Sequence, residues 1–230
     1  MSTHRRRSAA AATALTVCAA TLGPGQVTPT SATPPATAAA AVSRPLAGRV
    51  ITIDPGHNGR NWAHPEIINR IVYAGNGVYK ACNTTGTSTR RGLQESAHNL
   101  WAARKLRRIL ERRGARVVFT RTTNRGVGPC ITRRAKIGNR AKADAVLSIH
   151  ADGNDARTAR GFHIIRSTGM VGGDRVERDI GGMNLSRRPA VMVEMGNMRN
   201  ATDAALLSSR SFRLRAARAL ARGLQRFLNR

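Results

Sequence analysis

Short apolar runs alternate with stretches of helical periodicity along this chain, and that alternation constrains its fold more than any other feature. Val50-Ile51-Thr52-Ile53, Arg116-Val117-Val118-Phe119-Thr120, Ala145-Val146-Leu147-Ser148-Ile149, Gly161-Phe162-His163-Ile164-Ile165 and Pro189-Ala190-Val191-Met192-Val193 read as strands. From Glu95 to Arg113, residues Ala97, Leu100, Ala103, Leu106, Ile109 and Leu110 recur at helical spacing, and Gly114 supplies the C-cap. Ile131 to Lys142 reads as a basic helix, and Ala204 to Leu228 as a final amphipathic one. Strands alternating with helices predict an α/β sheet with parallel pairs. Asn58 to Gly92 reads as a long loop rich in Gly, Asn and Thr, in which only Ile67 to Tyr73 has strand-like or helical character.

The N-terminus differs from the rest. Arg5, Arg6 and Arg7 precede an apolar stretch from Ala9 to about Leu22, and Pro/Thr/Ala-rich sequence continues to Val42. This tripartite form is that of a secretory signal followed by a linker, so residues 1–42 are expected to be removed or flexible and 43–230 to form the domain. No uninterrupted apolar run is long enough for a membrane-spanning helix. Export predicts a secreted or cell-envelope location and an oxidising environment. Cys82 and Cys130 remain as an even pair beyond the signal and are expected to form one disulfide, worth about 3 to 4 kcal/mol of loop closure.

Charge narrows the partners. The chain carries 39 Lys plus Arg against 12 Asp plus Glu, a formal net charge of +27. Only three arginines belong to residues 1–42, so 36 basic and 12 acidic residues leave +24 on the domain. Aromatic residues make up 3%, too few for the stacking platforms of a single-strand nucleic-acid binder. The basic residues are spread over Arg104 to Arg113, Arg133 to Lys142 and Arg210 to Arg226, largely as solvated helix faces. No nucleic-acid partner is expected, whereas contact with anionic cell-wall polymers through a basic surface fits an exported protein.

Polar residues close three of the apolar runs. His57 follows the first strand, His150 the third and Glu194 the fifth, and ligands of α/β sheets bind at that edge. Neutral imidazole and carboxylate suit zinc, and a catalytic zinc site takes three protein ligands with one position left for water. His57, His150 and Glu95, which opens the long helix, can supply that set and leave Glu194 free as a general base. Spacing alone leaves a structural role open for each of them.

The same residues carry a family resemblance. Ile53-Asp54-Pro55-Gly56-His57-Asn58-Gly59, Glu95 with Asn99-Leu100, Ser148-Ile149-His150-Ala151-Asp152, and Val193-Glu194-Met195-Gly196-Asn197 to Asn200 resemble the ordered motifs of zinc-dependent N-acetylmuramoyl-L-alanine amidases of the amidase-3 family. Lys80-Ala81-Cys82 and Gly128-Pro129-Cys130 resemble its secreted actinobacterial branch. The resemblance runs from about Arg49 to the C-terminus. It implies a single α/β domain with a mixed, mostly parallel sheet flanked by helices on both faces. It also implies Zn2+ on His57, Glu95 and His150, and Glu194 as catalytic acid/base. The substrate would be peptidoglycan or muropeptides, cut between N-acetylmuramic acid and L-alanine. Only Arg166 to Arg178 intervenes where the family carries a further helix, so one helix fewer is expected.

Three other histidines compete for roles. His98 lies one turn after Glu95 and is expected to be structural; His64 is expected in solvent; His163 lines a strand, either hydrogen-bonded in the interior or facing the site as a carbonyl polariser. Two further function classes stay open: a zinc-containing envelope protein impaired in catalysis, and a basic nucleic-acid binder. Retention of Glu194 favours the enzyme, because a pure binder has no use for a base beside a metal.

Overall fold

The structure is a computed structural model that describes residues 43–166 and 180–230, together with the backbone of Arg175–Val176. β1 (Val50–Pro55) leads through a 3-10 turn (Asn61–Ala63) and α1 (Pro65–Ile68) to a hairpin of β2 (Ile71–Tyr73) and β3 (Tyr79–Ala81). Next come α2 (Glu95–Arg112), β4 (Arg116–Phe119), α3 (Ile131–Arg140) and β5 (Ala145–Asp152). β6 (His163–Arg166), β7 (Arg175–Val176), α4 (Gly181–Asn184), β8 (Ala190–Asn197), α5 (Ala201–Ser208) and α6 (Arg210–Leu228) complete it.

The main sheet has the order β4-β1-β5-β8-β6-β7. β4, β1, β5 and β8 are parallel, β6 is antiparallel to β8, and β7 runs parallel to β6. The expected mixed, mostly parallel α/β sheet is what forms. Helices cover both faces. Ile51, Ile53, Leu147, Ile149 and Val193 meet Leu106 and Leu110 of α2 and Ala217, Ala221 and Leu224 of α6 in the principal core. On the other face a smaller cluster joins Val146 and Ala190 to Met183 of α4. Burying each Leu or Ile in this way contributes about 1.5 to 3 kcal/mol.

Several boundaries differ from the sequence expectation. The long loop holds α1 and the β2–β3 hairpin; the end of α1 and β2 fall in the Ile67 to Tyr73 stretch that reads as strand-like or helical, and β3 is too short to give a periodic signal. Ala204 to Leu228 is two helices, because Ser209 adopts extended backbone and its hydroxyl accepts from the Phe212 N–H, capping α6. His150 and Glu194 lie within β5 and β8 rather than past their ends, since pairing between those strands continues to Asp152 and Asn197. Gly114 does close α2 in the left-handed region, at φ 95°. Cys82 and Cys130 form the expected disulfide, tying the segment after β3 to the start of α3. Most of the Arg166 to Arg178 segment, and with it the expected loss of a helix, lies outside the described residues, as do residues 1–42. No helix among the described residues is long and apolar enough to cross a membrane.

Candidate metal centre and its surroundings

β1 runs buried to Pro55, and the chain then turns sharply at His57, whose φ of 56° lies in the left-handed region that non-glycine residues rarely occupy. Two buried arginines hold that turn. The Arg134 guanidinium donates to the His57 carbonyl at 2.7 Å, to the Pro55 carbonyl at 2.7 Å and to the Asp54 carboxylate at 2.6 Å. Arg121 donates to the carbonyls of Pro55 and Gly56 at 2.9 Å each and to that of Ser96 at 2.7 Å, linking the turn to the first turn of α2. Asp54 also accepts from Ser148 and Thr120, and Arg134 beside it holds its carboxyl below the ordinary range although burial pushes the other way. The surrounding structure therefore stabilises a backbone conformation that His57 alone would not favour.

The turn delivers His57 to Glu95. His57 Nε2 stands 3.1 Å from Glu95 Oε2, and His150 Nδ1 stands 3.0 Å from Glu95 Oε1. The Thr84 carbonyl lies 3.1 Å from His57 Nδ1, which assigns the proton to Nδ1 and leaves the Nε2 lone pair facing inward. Glu95 starts α2, where a carboxylate is favoured by the helix dipole. Its Oε1 accepts from the Ala151 N–H at 3.1 Å and from Asn99 at 3.2 Å, and its Oε2 from the Thr87 N–H at 3.1 Å. Burial would raise the Glu95 carboxyl, but the two histidines hold it well below its usual range. Burial lowers His150 and favours the neutral ring that a metal requires.

The donor set fits a metal ion. The three ligand atoms lie within 4.8 Å of one another. Tetrahedral zinc bound at about 2.0 to 2.1 Å separates its ligands by about 3.4 Å, so small side-chain rotations suffice. Glycine packing closes the cradle. A Cβ at position 56 would collide with the His150 ring, and one at position 86 would lie 2.8 Å from Glu95 Oε2 and 2.9 Å from His57 Cδ2.

Glu194 stands beside this cluster, opposite His150 in the β5–β8 register. Its Oε2 is buried with no hydrogen-bond partner among the described residues. Burial first, then the charges of Glu95 and Asp152, push its carboxyl up to about 8, so in the metal-free chain it carries a proton at neutral pH. A buried acceptor without a protein partner costs about 1 to 3 kcal/mol, and such residues concentrate where ligands bind.

The remaining histidines separate clearly. His98 is fully buried, donates from Nδ1 to the Leu207 carbonyl at 3.1 Å, and burial lowers it to about 4, as a structural histidine between α2 and the α5–α6 junction. His64 is half-buried and paired with Glu66 at 3.1 Å rather than free in solvent. His163 stands opposite Glu194 on β6. Arg134, in a basic helix expected to be largely solvated, is buried instead, and Arg121, which no sequence pattern singles out, is buried as well. A signal existed for Arg134: it falls on the same helical stripe as Ile131, Ala135 and Gly138, so it faces inward.

A sheet edge that gathers two histidines and a carboxylate, next to a second, buried carboxyl, defines a class: an α/β protein whose side chains could hold a metal ion. Comparison with known proteins sharpens the class. The N-acetylmuramoyl-L-alanine amidase family, amidase-3, matches residues 51–172, a span that includes His57, Glu95 and His150. The N-acetylmuramoyl-L-alanine amidase Rv3717 of Mycobacterium tuberculosis is 34% identical over 86% of this chain and 94% of its own length. The crystal structure of the N-acetylmuramyl-L-alanine amidase Ami1 from Mycobacterium smegmatis superposes with a TM-score of 0.74 at 33% identity, covering 80% of this chain and 98% of that one. AmiC2 of Nostoc punctiforme, at 24% identity and TM-score 0.63, shares the fold. The chain belongs to the N-acetylmuramoyl-L-alanine amidase family and is an amide hydrolase of that family.

Proposed function

We propose that this chain hydrolyses the amide between the lactyl group of N-acetylmuramic acid and L-alanine in peptidoglycan stem peptides, with zinc held by His57, Glu95 and His150. The observation that carries this reading is the meeting of those three side chains, drawn from three separate segments, beside the unpartnered carboxyl of Glu194. When bound, such an ion supplies Lewis acidity that lowers the pKa of water and polarises an amide carbonyl. Thr84 fixes the His57 tautomer, and Asn99 with the N–H groups of Thr87 and Ala151 fixes the Glu95 carboxylate. Glu194, once ionised, takes a proton from the attacking water at a carboxylate oxygen. The water oxygen bonds to the carbonyl carbon, Glu194 returns the proton to the departing nitrogen, and the C–N bond breaks. The products are a lactyl carboxylic acid and a stem peptide with a free α-amine on L-alanine.

Further parts of the reading concern setting. Residues 1–42 act as export signal and linker, so the domain works at the cell envelope, where the Cys82–Cys130 disulfide persists. The basic surface draws the enzyme to anionic wall polymers. Incubation of the purified chain with peptidoglycan, followed by mass spectrometry of the soluble fraction, tests the reaction. Peptides beginning with a free L-alanine amine are expected; new reducing sugar ends, or peptides beginning at another residue, would contradict it.

A further inference from the structure

His98 shows what a structural histidine does in this fold: it is buried and donates to a backbone carbonyl. His163 does neither. It is half-buried, and its ring makes no hydrogen bond or ion pair among the described residues. It stands opposite Glu194 across the antiparallel β6–β8 pair, and Glu194 stands opposite His150 across β8–β5. Residues paired across a sheet project to the same face, so His150, Glu194 and His163 form one row over three strands. Neighbouring strands lie about 4.8 Å apart, which makes the row about 10 Å long. Two of its members, His163 and Glu194 Oε2, lack protein partners among the described residues, side by side and next to the cluster.

The order along the row gives it a direction. At one end the His57–Glu95–His150 cluster receives the carbonyl of the scissile amide. In the middle Glu194 returns a proton to the nitrogen. The residue owning that nitrogen, L-alanine, therefore extends toward β6. One residue of extended chain spans about 3.3 to 3.6 Å, which brings the L-alanine carbonyl oxygen about one strand spacing beyond Glu194, where His163 stands.

We propose that His163 binds substrate on the peptide side of the scissile bond, its imidazole N–H donating a hydrogen bond to the carbonyl oxygen of L-alanine. This inference rests on the hydrolase reading above. It makes β6 the strand that selects a peptide on the leaving side, and it assigns to His163 a binding role separate from the chemistry at Glu194.

The test uses the zinc-loaded chain, with N-acetylmuramoyl-L-alanyl-D-isoglutamine as substrate and L-alanyl-D-isoglutamine as a binding probe that needs no turnover. Loss of one hydrogen bond predicts that His163→Ala raises KM, and the calorimetric Kd for the dipeptide, by about five- to tenfold. The same variant keeps kcat, the zinc content and the melting temperature of the parent. His163→Gln, which retains an N–H donor, recovers most of the lost affinity. An unchanged dipeptide Kd in His163→Ala would overturn the proposal, as would a fall in kcat with Kd unaltered, because His163 would then serve the chemistry. A parent chain that binds the dipeptide in a His163-dependent way yet releases none from the substrate would overturn the hydrolase reading and leave the peptide contact standing.

Discussion

The two faces of the sheet are built by different physics. On the α2–α6 face, Ile51, Ile53, Leu106, Leu110, Ile149 and Leu207 are completely buried, and apolar area holds the layers together. On the opposite face, toward the C-terminal edge, Asp54, Arg134, Ser148 and Thr120 replace that core with charge-assisted hydrogen bonds, and they hold the turn that presents His57. The apolar face tolerates a change of shape at some cost in stability. The polar edge does not, because each buried charge there depends on its partner and each bond fixes a backbone atom next to the cluster. Stability and function are thus separable by position, and that separation can be tested.

The largest effect is expected at the edge. Glu194→Gln should lower the rate of stem-peptide release by about 10²- to 10⁴-fold while metal content holds, as read by product assay and elemental analysis. A variant that kept its rate would remove Glu194 from the chemistry. The disulfide should blur the separation, because Cys82 lies two residues before Thr84 in the chain. Replacing both cysteines by serine should cost about 3 to 4 kcal/mol in denaturant unfolding and also weaken metal retention against a chelator. If only stability fell, the link from the disulfide to His57 would be absent.

Leu106→Ala should do the opposite of Glu194→Gln. It removes about 2 to 5 kcal/mol of stability through the cavity it leaves, while zinc stoichiometry and kcat at room temperature stay at parental levels. Loss of metal in this variant would show that the faces are coupled. The smallest effect is a pH dependence. Glu194 has a folded pKa of about 8 against an ordinary 4.5, so its contribution favours the folded metal-free chain at low pH and is lost as pH rises through about 8. In chelator, the melting temperature of the parent should therefore fall relative to that of Glu194→Gln between about pH 5 and pH 8 and run parallel to it above that. Curves parallel throughout would mean that Glu194 ionises freely.

Much of this division was legible in the sequence, for reasons that differ by element. The apolar runs at Val50, Ala145 and Ala190 announced the central strands because strands buried on both faces need uninterrupted apolar residues. His57, His150 and Glu194 stood out because polar residues next to such runs need a purpose, and Glu95 because it opens the long helix. Of the hairpin, β2 fell within the stretch Ile67 to Tyr73 that read as strand-like or helical, whereas β3 was not legible, because a three-residue strand carries no periodicity. The break at Ser209 was hidden because the apolar pattern continues across it, and only the serine cap marks the interruption. Arg121 was hidden by composition, since in a chain with 39 basic residues a buried arginine looks like its exposed neighbours, whereas Arg134 was marked only by its place on the inward stripe of its helix. The antiparallel direction of β6, which sets His163 against Glu194, follows from tertiary pairing that no local pattern encodes.

Metal dependence of the reaction tests the central claim most directly. The purified domain would be analysed for bound zinc, stripped with a chelator, assayed for release of L-alanine-terminated peptides, and assayed again after zinc is restored, with His150→Ala in parallel. The account predicts one zinc per chain, no release from the stripped protein, recovery on restoration, and neither zinc nor release in His150→Ala. Undiminished release from the stripped protein, or full zinc occupancy in His150→Ala, would contradict it.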